Sequence, residues 1–177
     1  MVFDRRGGLR PATFIPVMIR RGFVVVACGA CASTMAYSAG NASSVNVRGP
    51  YRLRLEVPAV VAGGQPVPLR FVLTNVAKES VLVTMPCYPH QHVNFVVMHG
   101  SRQVWDKLRG STILECALEA RLAPNDSMVF RGLWGQRDNH RHRVSPGRYS
   151  VTASVVEGES KEFPEGITSA PVEFRIR

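Results

Sequence analysis

Residues 51–57 read Tyr51-Arg-Leu-Arg-Leu-Glu-Val57, with an apolar side chain at every second position. Successive side chains of an extended backbone point to opposite faces, so this period predicts a strand buried on one side. Tyr51, Leu53, Leu55 and Val57 fall on the buried face, and Arg52, Arg54 and Glu56 on the wet one. Gly63-Gly64 turns the chain, and Val67, Leu69, Phe71 and Leu73 repeat the alternation. Further short segments centre on Val81 and Val83, on Val93 to Val97, on Gln103 to Trp105, and on Met128 and Phe130. Tyr149 to Val155 and Val172 to Ile176 complete the set. The expected fold is all-β, an antiparallel sandwich of seven to eight strands. Leu114–Leu122 alone reads as helical, with Leu118 and Leu122 four apart and Pro124 as the stop.

The chain has 177 residues, and the pattern divides it into a leader over 1–39, a linker over 40–50 and a domain over 51–177. A domain of roughly 130 residues buries about two-thirds of its unfolded surface and folds without a metal or cofactor. The net charge is +9, and residues 1–40 carry five arginines against Asp4 alone. In the domain the charges alternate with apolar residues along strands. No basic run interleaved with aromatics stands out, so a solvated sheet face is expected rather than a nucleic-acid track.

Residues 17–40 run from basic Arg20-Arg21 through a moderately apolar stretch to the small residues Ala36 to Gly40. That order matches an export signal, too short and too weakly apolar to span a bilayer stably. Met18 is an alternative start, and Arg20-Arg21 resembles a twin-arginine motif. Val25-Val26-Ala27-Cys28 resembles a lipoprotein box, which would make Cys28 a lipidated first residue and the polar stretch after it a tether. Export, to the periplasm or the medium, is the leading expectation. A lipid-anchored form and an uncleaved cytoplasmic form are the alternatives, and contact with a membrane is expected only through the leader or a lipid. In an oxidising compartment the two thiols beyond Cys28 and Cys31 of the leader, Cys87 and Cys116, are expected to pair.

Trp134 to Val151 gathers Asp138, His140, His142 and Ser145 in one polar segment. These are the residue types of a hydrolase, yet all lie on one loop expected to be mobile, with no Gly-x-Ser-x-Gly elbow. His90-x-His92 and His140-x-His142 place two imidazoles on one face of a strand, but no third ligand is set by spacing. Neither a catalytic nor a metal site is expected. Asp138-Asn139 has loop-tip chemistry, and Pro146-Gly147 suits a type II turn. The segment therefore reads as strand, exposed loop, turn and strand, with Trp105 and Trp134 as packing residues.

Gly100 to Trp105, Leu122-Ala-Pro-Asn-Asp126 and Trp134 to Tyr149, in that order, resemble the bacterial intracellular proteinase inhibitor (BsuPI) domain. The resemblance covers about Tyr51 to Val156. It implies an immunoglobulin-like sandwich that acts by contacting another protein, with inhibition of a serine protease as the family's founding activity. Asn125 stands where the family has Gly, tolerable because Asn also enters left-handed geometry. His140 to Arg143 occupies the place of a hairpin Gly, and the expected leader conflicts with an intracellular address. Cysteines placed like Cys87 and Cys116 look like those of exported relatives. Together these readings give a monomeric binding module, not an enzyme, with no cofactor and no nucleic acid. Its protein partner would be met by Gln136, Arg137, Asp138, His140 and Arg141 on the 135–146 loop. The alternative is an envelope-associated accessory domain without inhibitory activity.

Overall fold

A computed structural model describes residues 40–112, 117–156 and 166–177. The expectations for residues 1–39, Cys28 included, and for Cys116 lie outside the described residues. Strands are numbered along the chain. One sheet is ordered β1 (Asn41–Arg48), β2 (Tyr51–Pro58), β4 (Val67–Asn75), β9 (Ser127–Trp134), all antiparallel. The second is ordered β3 (Val60–Val61), β12 (Val172–Ile176), β10 (Gly147–Val155), β6 (Val93–His99), β7 (Arg102–Asp106). A short β11 (Ile167–Thr168) also pairs with β10, and β3 runs parallel to β12. A two-stranded ribbon of β5 (Val81–Pro86) and β8 (Ala117–Leu122) completes the set.

The expected alternation is what packs the two sheets. Leu53, Leu55, Phe71 and Leu73 of the first sheet share one buried cluster with Phe95, Val97, Val151 and Phe174 of the second. Each such side chain, taken from water, contributes about 1.5–3 kcal/mol. The sheets approach so closely at Gly132 that a Cβ there would lie 2.8 Å from the Phe95 ring. A side chain at 132 would push the two sheets apart.

Asn75 joins the ribbon to the first sheet. Its buried side-chain amide donates to the carbonyls of Glu79 at 2.8 Å and Leu122 at 3.1 Å, and its Oδ1 accepts from Ala77 N at 2.8 Å. This bend lets Val83, Met85 and Leu122 turn into the core. At the turn that follows, Asn125 takes a φ of 67°, the left-handed geometry its amide side chain tolerates.

Three local expectations are corrected. Residues 41–48 are not linker but an edge strand. Ser44 and Asn46 face inward and bond to the backbone of Ala170 and Thr168, so polar residues do what apolar ones do elsewhere. The segment expected to be helical is strand β8 over Ala117–Leu122, because its ladder with β5 overrides local helix propensity. Pro146-Gly147 makes no type II turn. Gly147 has a φ of 159°, which is extended backbone, and already begins β10. A glycine is needed there for room: a Cβ would sit 3.1 Å from His99, whose ring stacks on Tyr149 at 4.7 Å.

Candidate protein-binding loop

Residues 135–146 cross from β9 of one sheet to β10 of the other, and their root is the most aromatic part of the core. Trp134 is 1% exposed. Its ring meets Trp105 at 6.3 Å, Tyr149 at 5.6 Å and Phe174 at 6.1 Å. Its Nε1–H donates to the carbonyl of Arg137 at 2.8 Å, so the buried ring holds the first arm of the loop. The Tyr149 hydroxyl donates to the carbonyl of Ser145 and holds the second arm. Burial raises the Tyr149 pKa, with Arg102 opposing, so the phenol keeps the proton it donates.

Gln136 holds the base. Expected as an exposed contact residue, it is 3% exposed, which is a correction. Its Nε2 donates to the carbonyls of Ala62 at 2.8 Å and Gln65 at 2.7 Å, and its Oε1 accepts from Gly64 N at 2.7 Å. The amide thus satisfies a neighbouring turn, and burial follows because every polar atom of its head has a partner.

The tip is a small hairpin closed by a bridge between Arg137 and Arg143. Asp138 N donates to His142 O and Arg141 N to Asp138 O, each at 2.9 Å, with Arg141 left-handed at a φ of 70°. Asp138 Oδ1 accepts from the backbone N–H of His140 and of His142, both at 2.9 Å. Desolvation pushes the Asp138 pKa up. The two N–H donors and the nearby His142 ring outweigh it, leaving the carboxyl below its usual value. Asn139 secures the far side. Its Oδ1 accepts from Asp106 N at 2.9 Å, its Nδ2 donates to Asp106 O at 2.8 Å, and its N–H donates to Val104 O at 3.2 Å. Those three groups belong to the edge strand β7, so the loop also covers a sheet edge that would otherwise invite pairing.

The loop expected to be mobile is therefore braced. Arg137, His140 and Arg141 remain exposed and Asp138 is half-buried. Asn139 was missed as a loop determinant, although the Asp-Asn pair was its visible signal. The hydrolase reading finds no geometry: His142 Nδ1 lies 3.4 Å from Asp138 Oδ2. No hydrogen bond joins the Ser145 hydroxyl to either ring among the described residues. Among those residues, no three of His, Cys, Asp and Glu come together as metal ligands either. His92 is half-buried between β5 and β6, its pKa lowered first by burial and then by the charges of Lys107 and His90, against a Pro86 hydrogen bond.

Two facing sheets, a Trp-rooted crossing loop and a tyrosine tied back to the chain upstream define the class: an immunoglobulin-like β-sandwich. The intracellular proteinase inhibitor (BsuPI) family model matches residues 53–160, and the chain belongs to that family. No curated protein matches it. Solved structures are similar only loosely. A β-glucosidase from Listeria innocua is 11% identical at a TM-score of 0.41, over 71% of this chain and 16% of that one. An alkylpurine DNA glycosylase from Pseudomonas fluorescens, bound to DNA with an abasic-site analogue, is 20% identical at 0.39, over 68% and 28%. A CARDB domain from Pyrococcus furiosus, in complex with di-metal ions, is 13% identical at 0.36, over 70% and 84%. The chain spans about a sixth of the length of the glucosidase, and at these scores none of the three carries an argument.

The family finding corrects the address. It describes an intracellular inhibitor and points to the cytoplasm, which overturns the expectation of export. The basic, apolar, small order of residues 17–40 is a pattern of composition, and composition of that kind does not require a passage across a membrane. Among the described residues no helix is long and apolar enough to cross a membrane. Membership of an inhibitor family also points away from catalysis.

Proposed function

We propose that this chain inhibits a serine protease by docking the 137–143 tip against it. One observation carries the reading. The tip is held from both sheets, by Trp134, Gln136, Asn139 and Tyr149, while the side chains of Arg137, His140 and Arg141 stay in water. A loop already ordered loses little entropy on binding, which is what a tight inhibitor needs. Family membership supports a proteinase as the partner. Titration of a subtilisin-type protease with the full chain tests it. The expected result is a stoichiometric loss of activity, weakened about tenfold or more by His140→Ala with Arg141→Ala at unchanged melting temperature. Full protease activity beside intact or cleaved chain would leave the accessory-domain reading instead.

We further propose that Cys87 pairs with Cys116. Cys87 follows directly on Pro86, the last residue of β5 in its ladder with β8, and the exported relatives that the sequence resembles carry cysteines at like places. The bond would close the open end of the ribbon, and its enclosed loop of about 29 residues is worth roughly 3–4 kcal/mol by chain entropy. Peptide mapping of air-oxidised protein without reductant should recover the two cysteines as one linked fragment. Recovery of Cys87 as a free thiol, or linked elsewhere, rejects the pairing.

A further inference from the structure

The outer face of the first sheet has no role in the loop and an unusual composition. Its register aligns Val45, Arg54, Val72 and Val129 across four strands, flanked by Ser43, Glu56, Arg70 and Arg131 in the next row. Glu56 engages Arg54 at 2.8 Å and Arg70 at 2.6 Å. Arg52 and Arg131 form no ion pair among the described residues, so the face carries four arginines against one carboxylate. Beside these charges stand large apolar side chains in water: Val45 and Val47 at 58% exposure, Val129 at 41% and Leu133 at 65%. A groove of about 410 Å³ opens at one end, walled by Pro58, Pro68 and Leu133 and bordered by Arg70 and Arg131. Single exposed apolar residues need no explanation, but several interleaved with unpaired charge on one flat sheet mark an interaction surface.

We propose that this face docks an acidic, leucine-bearing segment of another protein, in a contact separate from the loop. Charge selects the occupant. A second copy of the chain would set four arginines against four across a two-fold axis and be repelled. The chain's own residues 1–39 hold five arginines against one aspartate and are repelled in the same way. Duplex DNA would satisfy the arginines but leave the valines and Leu133 unburied, whereas an apolar centre with a charged rim is the anatomy of a protein contact. Carboxylates would reach Arg52 and Arg131, and a leucine would enter the groove at Leu133.

The test uses the full chain and a fluorescein-labelled peptide made of three Leu-Glu-Asp-Ser repeats, followed by polarisation at low and at physiological salt. A matched peptide with lysine for each acidic residue, a short DNA duplex and anionic phosphatidylserine vesicles are run beside it. The acidic peptide should bind and the lysine peptide should not. Arg52→Glu with Arg131→Glu should weaken binding about tenfold or more. Val129→Ser with Leu133→Ser should weaken it several-fold while keeping the charge, and melting curves confirm that both variants fold. Absence of acidic-peptide binding, equal binding by both pairs of variants, or tighter binding of DNA or vesicles overturns the proposal. His140→Ala with Arg141→Ala should leave peptide binding unchanged, so this result and the protease titration fail independently.

Discussion

Trp134→Ala should lower the unfolding free energy by about 3–5 kcal/mol, the range for a large aromatic lost from a packed core. The ring is 1% exposed and, from β9 of the first sheet, meets three aromatics of the second. Its neighbours cannot collapse into the space, since Tyr149 is tied to Ser145 and Phe174 lies in a ladder with Tyr149. The variant also strips the Arg137 carbonyl of its donor. A domain of this size has roughly 5–15 kcal/mol of stability, so much of it would disappear in one substitution. Urea denaturation should show a lower midpoint at an unchanged slope, the sign that stability and not the unfolded state has changed. Trp134→Phe separates the two contributions. It keeps most of the packing and loses the Nε1–H, so removal of the bond alone should cost about 1 kcal/mol beyond the small loss of area. A Trp134→Ala midpoint within experimental error of the parent would mean that the ring is not the root of the crossing loop.

The eight segments with large alternating side chains were legible because burial of one face is a local signal. Each residue of Tyr51 to Val57 reports its own environment, and all four apolar members are buried as expected. What the sequence hid depends on distant partners. Ser44 and Asn46 look like linker residues until Ala170 and Thr168, more than 120 positions away, supply the backbone groups that they satisfy. Ala117 to Leu122 suits a helix in isolation, and only the β5 ladder settles it as strand. The candidate site shows the same division. The loop and its exposed arginines could be read from polarity and turn chemistry. Which of its residues face the partner and which hold the frame could not, because a buried amide and a solvated one have the same letter. The outer sheet face reads from sequence as merely solvated for the same reason. Alternation places Arg52 and Arg54 in water, but only the register across four strands shows them beside Val45 and Val129.

Gln136→Ala should cost about 2–3 kcal/mol, more than an ordinary surface substitution and nearly all of it from polar groups left without partners. Gly64 N and Gln65 O lose the amide that satisfies them, and Ala62 O keeps only the Gln65 N–H, at a turn whose inner side the buried amide had covered. Water entering the vacated space recovers part of the loss, which is why three broken bonds do not cost three full penalties. Backbone strain provides an internal control. Gln136 holds a φ of 54°, a left-handed conformation that costs a side-chain-bearing residue about 1 kcal/mol and glycine nothing. Gln136→Gly should therefore be less destabilising than Gln136→Ala, although it removes the same three bonds and more side chain. If both variants lie within 0.5 kcal/mol of the parent, a span typical of neutral surface changes, the amide is not bracing the loop. Amide hydrogen exchange then locates the effect. In Gln136→Ala the N–H groups of Asp138, Arg141 and His142 should lose protection while those of Val151 and Val97 keep theirs, because the sandwich stands without the brace and the tip does not. A tip loosened in this way must be ordered again by whatever it binds, so the inhibition proposed for it should weaken even though no exposed contact residue has changed.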